Sequence, residues 1–273
     1  MNAAVGRFGK ISLGVYFWLL VVFLYIPLVV LAIFSFDNST IAALPFKGFT
    51  TRWYHDAINN PDMLDAVKLS VKIALANSIL ATSLGVIGAI GLSAPRLRGR
   101  SVITAVLMLP LVVPYIVLAI GMLILLNEIG SGPSAFAILA AHIVITVPYT
   151  ILVILPRLRT LDPSLMEAGR DLGSTEFGAF WRITRPLLTP AIISSMIVAF
   201  TISFDEYAIA SFLVPPGENT FPVFIYSGTK VPESRPQLIA IGALVIVVSL
   251  LLVLVTELLR GYTEKRQTGS AAM

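Results

Sequence analysis

Six long apolar segments separated by polar stretches dominate the chain. They cover about 11–34, 66–93, 101–126, 135–156, 187–214 and 237–259. Each exceeds the roughly 18 apolar residues that predict a membrane-spanning helix. Since a segment in lipid must satisfy its backbone hydrogen bonds internally, we expect these segments to be helical. The pattern predicts an all-α, polytopic membrane protein with six transmembrane helices in a single domain, residues 1–273.

Composition supports a membrane protein. The chain is 57% hydrophobic and only 12% charged, whereas an ordinary soluble domain is about 25% charged. The first apolar segment is longer than the roughly 7–15 apolar residues of a signal-peptide core, so we expect it to remain as a helix. The absence of cysteine excludes a disulfide framework and a cysteine–zinc site.

Positive charge indicates the orientation of the segments. Thirteen of the 19 lysines and arginines fall on one side if the segments alternate across a membrane. These are Arg7, Lys10, Arg96, Arg98, Arg100, Arg157, Arg159, Arg170, Arg182, Arg185, Arg260, Lys265 and Arg266. The positive-inside rule makes this side cytoplasmic and places both termini there.

A polar insert, residues 157–186, lies between the fourth and fifth apolar segments. Asp162 is suited to cap a short helix, and Pro163 is suited to its first position. This helix should run to about Leu172 and end at Gly173 in a left-handed conformation.

A second short helix should follow in the same insert. Ser174 is suited to cap it, and it should run toward Trp181, with Pro186 at the start of the fifth segment. Apolar side chains occur where water is expected: Leu165, Met166, Ala168, Leu172 and Phe177. Either the protein's own helices or a groove on a soluble partner must cover them.

The spacing within this insert resembles a known motif. Glu167-Ala168-Gly169 is followed after three residues by Gly173, and after nine more by Ile183, with Pro186 at the end. This is similar to the EAA loop of type I ABC importer permeases, whose pattern is EAA, x3, G, x9, I-x-L-P. Gly169 replaces the second alanine, which should loosen the helix by roughly 1 kcal/mol. Arg185 replaces the leucine.

The resemblance implies that the insert carries a cytoplasmic coupling helix between the fourth and fifth spans, seated in a cleft of an ATPase subunit. The implied coupling residues are Glu167, Ala168, Gly169, Asp171, Leu172 and Gly173. No G-x-x-x-x-G-K-[ST] sequence occurs, so the chain carries no nucleotide site of this kind. We therefore expect a transport subunit without catalytic, metal or cofactor residues, whose partner ATPase dimer binds ATP and Mg²⁺.

A second stretch narrows the resemblance. FTISFDEYAIASFL begins at Phe200, and VPPGENTFPVFIYSGTK ends at Lys230. Both are similar to permeases of the spermidine/putrescine group, the C-type subunit in particular. This implies a bacterial inner-membrane location, with surrounding lipid, a sister permease chain and a periplasmic solute-binding protein as partners. Nothing implies a nucleic acid.

Two adjacent acids in the fifth segment are the candidates for contact with solute. An unpaired carboxylate in a span costs about 2.5–3.5 kcal/mol on insertion scales, which suggests a purpose for Asp205 and Glu206. Ser203, Glu206 and Tyr207 share one helix face, whereas Thr201 and Asp205 share another. We expect one acid to meet a cationic solute and the other a neighbouring helix. The alternative is that both are hydrated at the membrane interface.

Three further features carry weaker expectations. Gly85, Gly88 and Gly91 predict close helix packing through small residues. His142 should be packed and hydrogen-bonded. The outer segment from residue 35 to about 65 is either a solvated loop or part of a docking surface for an outer partner.

The leading hypothesis is the membrane subunit of an ATP-driven importer for polyamines. A related permease could instead import an opine, an aminoalkyl phosphonate or ferric iron. A stand-alone secondary carrier is the alternative from another class, and inverted repeats and broken helices would favour it. The sequence contains no clear repeat, and a carrier needs no ATPase-docking loop.

Overall fold

The computed structural model describes residues 7–41, 44–94, 97–248 and 250–251. Within these residues the chain is helical and contains no strand, with one isolated bridge between Asp37 and Phe49. The helices are α1 (Arg7–Phe34), α2 (Arg52–Ile58), α3 (Pro61–Ser93), α4 (Arg100–Met108), α5 (Tyr115–Glu128), α6 (Ala135–Arg159), α7 (Pro163–Asp171), α8 (Glu176–Ala179), α9 (Arg185–Asp205), α10 (Ala210–Leu213), α11 (Phe221–Gly228) and α12 (235–248 and 250–251).

Among the described residues, four helices are long and apolar enough to cross a membrane, and a bent pair of helices makes a fifth span if the pair is taken as one. The four are Ser12–Phe34, Pro61–Ser93, Ala135–Arg159 and Glu176–Asp205. They confirm an all-α, multi-pass protein. The predicted sixth span begins within α12, but residues 252–259 lie outside the described residues, as do Arg96, Arg260, Lys265 and Arg266.

The bent span is the third of the predicted segments. Arg100–Leu111 and Tyr115–Glu128 meet at 95°. Pro114 stands before α5 with an extended ψ of 130°, and Pro110 lies in a short 3-10 turn, Leu109–Leu111. Because proline has no N–H donor, these two positions break the hydrogen-bond ladder between α4 and α5.

The fifth predicted segment, 187–214, has different limits at both ends. Helical structure runs without a break from Glu176, through a π-helical turn at Phe180–Thr184, into α9. Pro186 therefore lies inside the continuous helix instead of at its start, directly after the π-helical turn. At the other end the helix stops at Asp205, because Glu206 is extended (φ −73°, ψ 118°).

The described chain divides into two compact units, Asp62–Phe224 and Met1–Pro61 with Ile225–Met273. In the larger unit α6 packs along α9. A buried apolar cluster joins residues of α3, α5, α6 and α10, and its fully enclosed members include Ile138, Ile145 and Leu213. The single domain predicted over 1–273 stays a prediction.

Glycines allow α3 to approach α6. A Cβ built on Gly85 would lie 1.9 Å from the Thr150 hydroxyl oxygen, and one on Gly88 would lie 3.0 Å from the Ile151 side chain. The predicted close packing is confirmed at these two positions. It is wrong at Gly91, where a Cβ would meet nothing within 4 Å.

The smaller unit contains the outer segment, which is folded instead of merely solvated. The buried Asp37 accepts a hydrogen bond from the Lys47 N–H at 2.8 Å, and its carbonyl accepts one from the Trp53 indole at 2.7 Å. Tyr54 is hydrogen-bonded to the Ser35 hydroxyl at 2.6 Å.

Candidate functional site

The first half of the polar insert forms the predicted helix. Asp162 caps α7 by accepting the Ser164 N–H at 2.9 Å, and this bond lowers the pKa of the Asp162 carboxyl below its usual value. Pro163 is the first helical residue. Gly173 has φ +82°, the left-handed conformation expected after the last turn.

The corner after α7 is a Schellman motif, which changes the role of Ser174. The Ser174 N–H bonds to the Gly169 carbonyl at 3.0 Å, and the Gly173 N–H bonds to the Arg170 carbonyl at 2.8 Å. The prediction that Ser174 caps the second helix is wrong, since Thr175 does so by accepting the Gly178 N–H at 3.1 Å. An ion pair between Arg170 and Glu176 spans this corner.

One face of α7 packs onto the π-helical turn. Gly169 is buried there, and a Cβ at this position would come within 2.7 Å of the Ile183 terminal carbon. The Thr184 hydroxyl donates to the Met166 sulfur at 3.0 Å. The replacement of alanine by Gly169 therefore does more than loosen the helix, because it allows close contact between α7 and Ile183.

The opposite face of the insert is exposed and apolar. Leu172 is 88% exposed and Phe177 is 72% exposed. Glu167, Ala168 and Asp171 are exposed as well. A helix as short as α7 is marginal alone. Phe177 makes an edge contact with Trp181, with the ring centres 5.9 Å apart, but both Leu172 and Phe177 remain largely exposed.

Arg185, which departs from the motif, stacks on an aromatic ring. Its guanidinium carbon lies 4.9 Å from the centre of the Trp181 ring. Such a cation–π contact contributes roughly 0.5–1 kcal/mol at an exposed site. The charge is thereby held beside the insert at the start of α9.

The second candidate site lies where α9 ends. Glu206 is buried, and its carboxylate accepts the Ile209 N–H at 2.9 Å and the Ala210 N–H at 3.0 Å. These are the N–H groups that the start of a helix leaves without partners. Glu206 therefore satisfies backbone N–H groups at the start of α10, directly after α9 ends at Asp205.

Glu206 also faces a histidine from α6. The Nε2 atom of His142 lies 3.4 Å from a Glu206 carboxylate oxygen, and Nδ1 is hydrogen-bonded to the Ser203 hydroxyl at 2.8 Å. His142 is confirmed as a packed, hydrogen-bonded residue. No local signal could have paired it with Glu206, because the two residues lie far apart in the sequence.

The helical faces predicted for this segment do not extend past Asp205, because Glu206 and Tyr207 lie beyond the end of α9. Ser203 and Glu206 both turn inward, whereas Thr201 and Asp205 are exposed. Tyr207 is half-buried. Ser203 and Glu206 are buried in this conformation, and Asp205 is the exposed acid. The expectation that Ser203, Asp205, Glu206 and Tyr207 line a solute pathway stays a prediction.

Residues 81–269 match the family described as "Binding-protein-dependent transport system inner membrane component". The chain belongs to this family. It is 32% identical over 261 residues to the spermidine/putrescine transport system permease protein PotC of Escherichia coli K12, with 96% of this chain and 98% of PotC covered. It is 36% identical over 231 residues to the putrescine transport system permease protein PotI of the same strain, with 82% of each chain covered.

Solved structures agree on the fold of this permease. A bacterial ABC transporter involved in the import of the acidic polysaccharide alginate has a TM-score of 0.70 at 17% identity, with 96% of this chain and 99% of that chain covered. An amino acid ABC transporter has a TM-score of 0.57 at 19% identity, with 77% and 98% covered. The fold is therefore that of an ABC transporter membrane subunit.

Proposed function

We propose that this permease is the membrane-spanning subunit of an ATP-binding-cassette importer that moves a polyamine, such as spermidine or putrescine, into the cytoplasm. The observation that carries the solute class is the likeness to PotC along almost the whole of both chains. The likeness to PotI points to the same class of solute. A secondary carrier has no comparable support.

In this proposal six spans alternate across the bacterial inner membrane, with both termini cytoplasmic. A periplasmic solute-binding protein delivers the polyamine, and a sister permease chain completes the pathway. A periplasmic partner is supported by the structure of a bacterial alginate ABC transporter in complex with a pentasaccharide-bound periplasmic protein. The matched transporter chain has a TM-score of 0.67, with 90% of this chain and 91% of that chain covered.

The polar insert is the coupling surface in this proposal, with α7 as the coupling helix. The exposed apolar side chains of Leu172 and Phe177 support this, because apolar side chains exposed among polar residues are typical of a protein–protein contact surface. Glu167, Ala168 and Asp171 would contact the ATPase, while Gly169 and Gly173 shape the surface. The ATPase dimer supplies ATP hydrolysis and binds Mg²⁺, so the permease itself is not an enzyme.

Asp205 is the solute-facing acid in this proposal. Its exposure at the end of α9 supports the role. A carboxylate attracts the ammonium groups of a polyamine, and the attraction strengthens where water is partly excluded. Glu206 is the acid that meets a neighbouring helix, and Ser203 supports it from inside.

The test is uptake by the complete transporter, reconstituted in proteoliposomes with its ATPase, sister chain and binding protein. We expect ATP-dependent uptake of labelled spermidine or putrescine. Asp205→Asn should raise the KM, while Glu218→Gln, which removes an exposed acid beyond α10, should leave it unchanged. ATP-driven uptake of a different solute would refute the solute class alone. Uptake without ATP would refute the importer.

A further inference from the structure

A single imidazole contacts the chain on both sides of Asp205. His142 bonds through Nδ1 to Ser203, two residues before Asp205, and faces Glu206, one residue after it, through Nε2. The side chains of His142 and Glu206 are 2% and 3% exposed. Asp205 itself is exposed. The buried histidine therefore holds the segment whose exposed residue is the candidate for solute contact.

The contacts of the imidazole indicate which of its two nitrogens carries the proton. The Nε2 atom has no hydrogen-bond partner among the described residues, although a Glu206 oxygen lies 3.4 Å away. A proton on Nε2 would place a partial positive charge toward this carboxylate. Nδ1 is then the acceptor for the Ser203 hydroxyl at 2.8 Å. Geometry assigns this tautomer, because its Nε2–H points toward the carboxylate and its Nδ1 lone pair points toward the Ser203 hydroxyl.

His142 is itself fixed by a chain of buried hydrogen bonds. The Thr146 hydroxyl shares its one proton between the His142 carbonyl at 2.7 Å and the Asn77 side-chain oxygen at 3.0 Å. The Asn77 amide donates to the Ala199 carbonyl at 3.0 Å. Ala199 lies one turn before Ser203 in α9. Three helices, α3, α6 and α9, are thus tied together immediately before the helix ends.

We infer that His142 is a positioning residue for Asp205, which rests on the proposed contact between Asp205 and solute. His142 contacts Ser203 in the last turn of α9 and faces Glu206 directly after it, and so holds both residues inward. Adjacent helical residues point about 100° apart, so Asp205 points about 160° away from Ser203. The direction of the Asp205 carboxylate is therefore set by a residue that does not touch the solute.

Uptake kinetics of the complete transporter in proteoliposomes test this role. His142→Ala should raise the KM for spermidine about tenfold, with kcat changed less than about twofold. His142→Gln retains an N–H donor and should recover most of the affinity. Thr150→Val is the matched control. It removes a buried hydroxyl from the same helix, bonded to the Ala81 carbonyl at 3.1 Å, and should leave the KM unchanged.

A double-mutant cycle separates positioning from general stability. If His142 acts through Asp205, His142→Ala should raise the KM no further in an Asp205→Asn background. Additive effects, or a fall in kcat and thermal stability at constant KM, would overturn the inference. Should His142→Ala not assemble, His142→Asn lacks the group facing Glu206, and its KM should rise in the same way.

The outcomes also separate this inference from the proposed function. If Asp205→Asn alone leaves the KM unchanged, the solute role of Asp205 fails and the inference fails with it. If Asp205→Asn raises the KM while His142→Ala does not, only the positioning role is refuted. Size-exclusion chromatography of each complex shows whether the subunits remain assembled.

Discussion

At the scale of single residues, the absence of a side chain at Gly85 decides how close two helices come. A Cβ there would lie 1.9 Å from the Thr150 oxygen and 2.6 Å from the Thr150 Cβ. The second distance involves an atom that rotation about the side chain cannot move. Association of helices in lipid depends on this kind of close packing, because lipid is as apolar as the side chains.

Gly85→Ala should therefore destabilise the permease by about 1–3 kcal/mol, the usual range for overpacking. Thermal unfolding of the purified protein in detergent would show a lower Tm. Gly91→Ala is the matched control on the same helix, because the space beside Gly91 is open. Since alanine favours a helix over glycine by about 1 kcal/mol, its Tm should stay equal or rise. Equal Tm values for both variants would contradict the packing role of Gly85.

Sequence analysis identified the glycines but could not choose between them. Gly85, Gly88 and Gly91 have the same spacing, and only the position of α6 shows that the first two face a neighbour. The same limit applies to Asp205 and Glu206, where the spacing predicted two faces but not which acid is exposed. Three-dimensional neighbours decide such questions, and a local pattern contains no information about them.

At the scale of elements, local hydrogen bonds explain which boundaries were predictable. The Asp162 cap and the Gly173 corner depend on residues within one turn, so the limits of α7 were close to the prediction. The end of α9 was missed by nine residues, 205 against 214, because a buried carboxylate after the helix caps the next one. A run of apolar residues continues through that break without any change in pattern.

The α7–α8 hairpin carries a prediction about the ATPase. Leu172→Ser should weaken retention of the ATPase by about tenfold, since burial of a leucine contributes about 1.5–3 kcal/mol. It should not unfold the permease, because Leu172 is 88% exposed. Pull-down of the ATPase at several concentrations measures the effect.

Leu44→Ser is the control for this experiment. Leu44 is 83% exposed and lies in the outer segment of the smaller unit, so the same change in polarity should leave retention intact. Equal retention by Leu172→Ser and the unchanged permease would remove Leu172 from the coupling surface.

At the scale of the whole molecule, the six-span arrangement can be tested directly because the chain has no cysteine. Single cysteines at exposed positions report the side from which an impermeant thiol reagent reaches them. Leu172→Cys should react only from the cytoplasmic side, whereas Leu44→Cys and Ser131→Cys should react only from the periplasmic side. Labelling of Leu172→Cys and Ser131→Cys from the same side would contradict the alternation of spans.

Hydropathy predicted most of this architecture, because lipid requires every span to be apolar and to satisfy its own backbone hydrogen bonds. Four of the predicted spans correspond to described helices that are long and apolar enough to cross a membrane, and the pair bent at Pro114 makes a fifth if it is taken as one span. The bend follows from Pro110 and Pro114, but its angle of 95° depends on packing that the sequence does not reveal. The buried bonds from Asn77 to Thr146 and Ala199 were likewise hidden, since their partners come from three separate helices.

The unbroken helix from Glu176 to Asp205 has a thermodynamic consequence. In the proposed transporter its first turn adjoins the ATPase, and its last residue faces the solute. Linkage is reciprocal, so the factor by which bound nucleotide changes the permease's affinity for polyamine equals the factor by which polyamine changes the ATPase's affinity for nucleotide. The ATPase's affinity for nucleotide, measured by titration without transport, should therefore differ between solute-free and solute-bound permease.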